Sequence, residues 1–255
     1  MLLGIDVGNT NTVIGALDGL EVIHLWRVTT QVRTTDEFGL TLSTLLQHNG
    51  VSTEDIEGVA VCCVVPSVLY AIEKAVRRYL DCEVLVVGKG IRTGMKVRTD
   101  NPREVGADRV VNAVAAFERH GGPLVVVDFG TATTFDCVSD KGDYVGGAIA
   151  PGYQISADAL FRRTAKLPRV ELEQPEQTIG TNTVASIQSG LFWGYVGLVD
   201  KLALRCKAEL GGDVRTIATG GLARVIGSAC EEIDFIDEFL TQAGLRLLWD
   251  LNRSR

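Results

Sequence analysis

Leu2, Leu3, Ile5 and Val7 make a short apolar run broken only by the carboxylate of Asp6, and polar turn residues separate it from a second apolar stretch that starts at Val13. This pattern predicts paired strands over 2–7 and 12–17, with Asp18-Gly19 turning the chain into a third strand over 21–28. Apolar spacing of helical period covers 36–47. A continuous apolar run over 56–65, closed by Pro66, suits a strand buried on both faces, and Ser67 then stands as the expected cap of a helix over 68–79. A short strand is expected at 83–87. Beyond residue 120 the pattern begins again, with strands over 124–128, 133–138 and 143–149, a long helical stretch over 184–210, a strand over 215–218 and a closing helix over 235–251.

The restart is literal. Asp6-Val7-Gly8-Asn9-Thr10-Asn11-Thr12 aligns without a gap on Asp128-Phe129-Gly130-Thr131-Ala132-Thr133-Thr134, each copy preceded by apolar residues. An Asp at the end of a buried strand is unfavourable unless it is paired or holds a cation. The Gly permits close approach of backbone or ligand, and the Thr and Asn side chains supply donors for phosphate oxygens. Two such hairpins across one cleft would fit a metal-bound polyphosphate; the plain alternative is two ordinary hairpins with polar turns. The offset of about half the chain argues for two similar halves, 1–118 and 119–255.

Three further stretches carry polar or glycine residues where an element interior would not favour them. Asn101-Pro102-Arg103-Glu104 reads as a helix start, with Asn101 as cap and Glu104 closing a capping box. Asp108 then enters a stretch that is apolar on nearly every side, either as a functional carboxylate, as a second cap after a break at Gly106, or as the ion-pair partner of Arg109. Gly190, Gly194 and Gly197 interrupt the long helical stretch at a spacing that admits close helix packing, within the chain or across a dimer. Gly220-Gly221 follows a strand, a place suited equally to a nucleotide lying on backbone and to an ordinary turn.

Composition narrows the classes. The 46% hydrophobic content supports a substantial core, and the formal charge of −7, with no long Lys/Arg run, argues against nucleic acid as the main partner. An acidic protein that handles ATP needs a cation between them. The six cysteines show no C-x-x-C spacing and lie apart from the three histidines, so reduced buried thiols and a cytoplasmic location are expected rather than a zinc site or disulfides. The opening run lacks a basic flank and is unlike a signal peptide. The apolar stretch over 191–199 is too short to cross a bilayer, so no membrane partner is expected.

The duplicated Asp-containing hairpins with a later Gly-Gly turn resemble the acetate kinase, sugar kinase, heat-shock protein and actin superfamily. That resemblance implies an α/β fold of two similar ribonuclease-H-like domains facing a central cleft. Within it DVGNTNT, NPREVGADR, VVDFGTATT, GGAIAPG and TNTVASIQSG, in order along nearly the whole chain, resemble type III pantothenate kinases. The resemblance implies that Asp6, Val7, Gly8, Asn9, Thr10, Asn11, Thr12 and Val13 face the ATP phosphates, Asp6 holding a water or Mg2+. It implies Asp108 as the proton acceptor that orients the pantothenate hydroxyl, with Gly106, Ala107, Arg109 and Thr183 contacting substrate. Asp128 would bind a monovalent cation, K+ or NH4+, Thr131 would touch ATP, and the protein would be a homodimer. One departure is Thr99, where that family commonly has Tyr. Two other readings are a kinase for another small hydroxylated acceptor and a non-catalytic accessory protein of the same fold; the second would lack the carboxylates, and Asp6, Asp108 and Asp128 are all present.

Overall fold

The computed structural model describes residues 1–253. In chain order the strands and helices are β1 (Leu2–Val7), β2 (Asn11–Asp18), β3 (Glu21–Thr29), α1 (Thr35–His48), β4 (Gly58–Cys63), α2 (Pro66–Tyr79), β5 (Val84–Val86), α3 (Ala107–His120), β6 (Leu124–Phe129), β7 (Ala132–Val138), β8 (Tyr144–Pro151), α4 (Tyr153–Arg163), α5 (Thr183–Leu210), β9 (Arg215–Gly220), α6 (Ala223–Ile226), β10 (Phe235–Ile236) and α7 (Leu240–Arg253). They divide into two compact units. The first holds Met1–Met95, Asn101–Ala115 and the chain from Phe239 onward; the second holds Lys96–Asp100 and Ala116–Glu238.

The first unit is built on a sheet of order β3-β2-β1-β4-β5. β1, β2 and β3 form an antiparallel meander, while β4 and β5 run parallel to β1 because helices return the chain. Strand alternation sends Leu3, Ile5 and Val7 to one face, where they pack with Phe38 and Leu42 of α1 and Ile72 and Val76 of α2. Leu2, Ala60 and Cys62 face the other way, onto Val111 of α3 and Leu245, Leu248 and Trp249 of α7. Asp6 shares the side of the pleat that carries Leu2, so its carboxylate lies on the α3 and α7 side. Thr34 caps α1 through a reciprocal pair with Glu37. α2 differs from expectation: Pro66 occupies its first turn, no side chain caps it, and Ser67 lies inside the helix. Proline supplies the helical φ and lacks the N–H that a cap would satisfy.

The second unit repeats the plan, with strand order β10-β9-β6-β7-β8. Taken from the meander edge inward, this is the same order as in the first unit, the ribonuclease-H-like arrangement built twice. Its core joins Val125, Val127, Phe129 and Phe135 to Phe192, Val196, Val199 and Ala203 of α5.

Three expectations are corrected. The segment 235–251 is not one helix: Phe235 and Ile236 pair with Ile217 and Ala218 of β9, held by Asp234 N–H on Thr216 O (2.9 Å) and Asp237 N–H on Ala218 O (2.8 Å). The exposed edge of β9 takes two β-favouring residues before the helix begins at Leu240. α7 then packs in the first unit, although the sequence division at 118 assigns it to the second half. Finally, Pro102–Glu104 is a single 3-10 turn, and α3 starts afresh at Ala107. Asn101 caps that turn through Arg103 N–H (3.3 Å), and its amide reaches Glu104 Oε1 (2.6 Å), so Glu104 pairs with the cap side chain instead of repelling Asp108 along one helix. Among the described residues no helix is long and apolar enough to cross a membrane.

Candidate active site

In the first unit the β1–β2 turn is closed by Gly8 N–H on Asn11 O (3.1 Å). It is braced from the end of β3, where Thr30 N–H meets Thr10 O (3.0 Å) and the Thr30 and Thr12 hydroxyls lie 2.8 Å apart. Val7 and Thr12 are buried, Gly8 and Val13 are half-buried, and Asn9, Thr10 and Asn11 are exposed. The turn therefore presents amide and hydroxyl groups outward on a fixed frame.

Asp6 lies opposite Val13 on β2 and Cys62 on β4. The Cys62 thiol donates to Asp6 Oδ1 at 3.2 Å. Burial pushes the Asp6 carboxyl up to about 6; the thiol opposes this, and the negative charge of Asp108 adds to it. Cys62 is fully buried, and burial followed by the Asp6 and Asp108 charges holds its thiol protonated well above the ordinary range.

Asp108 is the second residue of α3. Its Oδ1 accepts the Arg109 N–H at 2.8 Å, and a carboxylate in a first helical turn is favoured by the helix dipole. Burial nevertheless raises its pKa, against the Arg109 N–H and guanidinium. Gly106 leaves room for the Asp108 carboxylate: a Cβ on it would lie 2.4 Å from Asp108 Oδ1 and displace that side chain. Ala107 and Arg109 follow on the same turn, both half-buried. Two buried carboxylates, with the Asp108 charge adding to the cost of ionising Asp6, suit a cation supplied from outside. Among the described residues no cluster of three or more His, Cys, Asp or Glu side chains stands ready for a metal. A Mg2+ held by one or two carboxylates plus phosphate oxygens and water fits that donor set.

The second unit carries the matching group. Asp128, next to last in β6, lies opposite Thr134 on β7 and Thr219 on β9, and Phe129 lies opposite Gly220. Gly220 has φ of +91°, and a Cβ there would stand 2.4 Å from Asp128 Oδ1 and 2.8 Å from Phe129 N. The second hairpin is one residue tighter than the first: Val7 pairs with Thr12, whereas Phe129 pairs with Thr133. Thr12 thus corresponds to Thr133, not to Thr134 as the gapless sequence match implies. Both are buried and both hydroxyls are engaged, Thr12 with Thr30 and Thr133 with Tyr195 of α5. Thr131 sits exposed in this tight turn, and Gly152 lets the end of β8 approach it, since a Cβ on Gly152 would meet Thr131 O at 2.2 Å.

Thr183 begins α5, whose cap Asn182 accepts the Ala185 N–H at 2.9 Å. With Gly180, Thr181, Ser186 and Ile187 it lines an open hollow of about 690 Å³ whose apolar wall includes Leu160, Leu167 and Leu191. The structure therefore brings Asp6 and Asp108 together in one unit, and Asp128, Thr131 and Thr183 belong to the other. The Cys62 contact and the fit of Gly220 to Asp128 are additions that sequence patterning did not single out; strand register is the signal that reveals them.

The sequence profile described as type III pantothenate kinase matches residues 2–205 of this chain. The chain belongs to the type III pantothenate kinase family. A type III pantothenate kinase of Anaeromyxobacter sp. is 55% identical over 254 residues, which cover 99% of this chain and 100% of that protein. Among solved structures, a protein assigned to the Baf family of transcriptional activators from Campylobacter jejuni superposes with a TM-score of 0.59 at 18% identity, covering 99% of this chain and 100% of the other. A protein assigned as an N-acetylglucosamine kinase from Porphyromonas gingivalis superposes with a TM-score of 0.50 at 12% identity, covering 99% and 100%. These two likenesses show that this type III pantothenate kinase family member shares its fold with both structures over nearly its whole length.

Proposed function

We propose that this chain transfers the γ-phosphoryl group of ATP to pantothenate, giving 4'-phosphopantothenate, the first step of coenzyme A biosynthesis. Membership of the type III pantothenate kinase family supports the reaction. The observation that carries the site assignment is the pair of carboxylates in the first unit, Asp6 at a strand end beneath a turn of exposed donors and Asp108 at a helix start. Val7 to Val13 frame the phosphates, with Gly8, Asn9, Thr10 and Asn11 supplying backbone and side-chain donors and the buried Thr12 bracing the turn through Thr30. Asp6 holds Mg2+, directly or through water; when bound, the ion neutralises charge on the β- and γ-phosphates.

Phosphoryl transfer through a loose transition state asks mainly for positioning. Asp108 accepts a hydrogen bond from the pantothenate hydroxyl, aligns it in line with the γ-phosphorus and takes its proton late. The Arg109 guanidinium recognises the pantothenate carboxylate, Gly106 and Ala107 shape the pocket beside it, and Thr183 adds a polar contact from α5. Asp128 holds a monovalent cation, K+ or NH4+, and Thr131 contacts ATP. The six free cysteines suit a reducing cytoplasm. The protein works as a homodimer through the face of α5 that bears Gly190, Gly194 and Gly197, positions where a Cβ would meet nothing within 4 Å in the chain itself.

The test is ADP release with ATP, Mg2+ and pantothenate, run in K+ and in Na+, with Asp108→Asn alongside. Pantothenate-dependent turnover that requires K+ and falls by about 10²–10⁴ in the variant is expected. ADP release that ignores pantothenate, or an active Asp108→Asn enzyme, would overturn the substrate or the catalytic assignment respectively.

A further inference from the structure

The Cys62 thiol donates a hydrogen bond to Asp6, 3.2 Å to Oδ1, and it does so from a position with no solvent exposure. The contact is built in by strand register. β1 and β4 run parallel with Asp6 beside Cys62, so the two side chains leave the sheet on the same face and cannot avoid one another. Cys62 shares an apolar cluster with Leu2, Ala60, Val111 and Leu248, and the buried Gln242 amide of α7 lies over Gly4 on the same side of β1. A residue chosen for packing alone could be Ala or Val here, as Val59, Ala60 and Val61 before it on β4 are; Cys63 after it turns its own thiol away, to Val65 O at 3.2 Å. At the position beside the carboxylate, Cys62 directs its thiol hydrogen to Asp6. The second unit shows the same choice independently. Asp128 is next to last in β6, as Asp6 is in β1, and the residue beside it on the parallel strand β9 is the buried Thr219, which follows Ile217 and Ala218. In both units a small donor-bearing side chain stands beside the strand-end Asp.

We propose that Cys62 is a positioning residue for the kinase reaction: its thiol fixes the Asp6 carboxylate so that the other oxygen is presented to the Mg2+ that accompanies ATP. This rests on the reading of Asp6 given above. A carboxylate at a strand end turns about two side-chain bonds, and with Oδ1 tied down by the neighbouring strand only Oδ2 is left to meet a cation. Cys62 itself contacts neither nucleotide nor pantothenate; it acts only through Asp6.

The test compares Cys62→Ala and Cys62→Ser, two side chains of nearly equal size that differ by one hydroxyl donor. Binding of ADP is measured by calorimetry with and without Mg2+, together with the Mg2+ dependence of turnover and thermal unfolding of the free protein. Cys62→Ala is expected to weaken Mg2+-dependent ADP binding by about tenfold, the scale of one hydrogen bond to a charged group, while Cys62→Ser stays within about threefold of the wild type. ADP binding without Mg2+ is expected to be the same in all three. A role in packing predicts the reverse order, because Ala is accommodated within the apolar cluster and a buried hydroxyl is not. Alanine and serine variants that lose binding equally, or an alanine variant that binds as the wild type does, would overturn the proposal. So would a Cys62→Ala effect that persists in an Asp6→Asn background, where a positioning residue has nothing left to position. If the wild type itself neither binds Mg2+ with ADP nor turns over pantothenate, the kinase reading fails instead, and the two failures are told apart by that control.

Discussion

Asp6→Asn should make the free protein more stable while removing its function, and the size of the gain follows from the site. Burial is the main cause that lifts the Asp6 carboxyl from 3.8 to about 6, with Asp108 adding to it. At about 1.4 kcal/mol per unit, the ionised carboxylate weakens the nucleotide-free fold by about 3 kcal/mol at neutral pH and above. The sign follows from proton binding. Between about pH 4 and 6 the folded state holds a proton that the unfolded chain has released, so stability is highest below pH 4 and is lost as the pH rises through 6. Asn has the same shape, still accepts the Cys62 thiol, and carries no charge. Wild type and variant should therefore match near pH 4 and separate by about 2–3 kcal/mol at pH 8, with the variant melting about 5–10 °C higher. Urea or thermal unfolding across pH 4–8, in chelator and without nucleotide, measures this directly. Adding Mg2+ and ADP should reverse the order, because ligand binding to the native state stabilises only the protein that still binds it. A difference that stays constant with pH, or a wild type more stable than the variant at pH 8 in chelator, would refute the reasoning.

Gly106→Ala brings a Cβ against the far end of the Asp108 side chain rather than against backbone, so the fold should survive while the carboxylate shifts; kcat should fall about a hundredfold with unfolding midpoints nearly unchanged. Gly220→Ala combines φ of +91° with a Cβ driven onto Asp128 and the Phe129 backbone; denaturant titration should show a loss of about 2–4 kcal/mol, and any folded enzyme should lose its preference for K+ over Na+ in the coupled assay. Gly194→Leu adds a side chain where the chain itself leaves open space; light scattering should show a monomer in place of a dimer, with circular dichroism unchanged.

The parts of this molecule that patterning revealed are those whose signals are local. The strand–turn–strand of 2–17 and its copy at 124–138 could be found because period-two alternation and turn residues lie within a few positions of each other, and the capped helix of 35–48 is equally self-contained. The errors fall where partners are distant. Phe235 and Ile236 make a strand only because the β9 edge is free to receive them, and nothing in two residues announces that. The gapless match of the two hairpins hides a turn that is one residue shorter in the second copy, so it sets Thr12 against Thr134 when register sets it against Thr133. Asp6 shows the same limit from the functional side. Its carboxylate was conspicuous in the sequence, but what holds it is a thiol 56 positions away, brought beside it by parallel pairing that leaves no trace in either segment alone. Cys62 looked like an ordinary buried thiol because burial was all that its neighbours in sequence could tell. Carboxylates at strand ends are read this way: each is legible in its own strand, and its support is written in the next strand over.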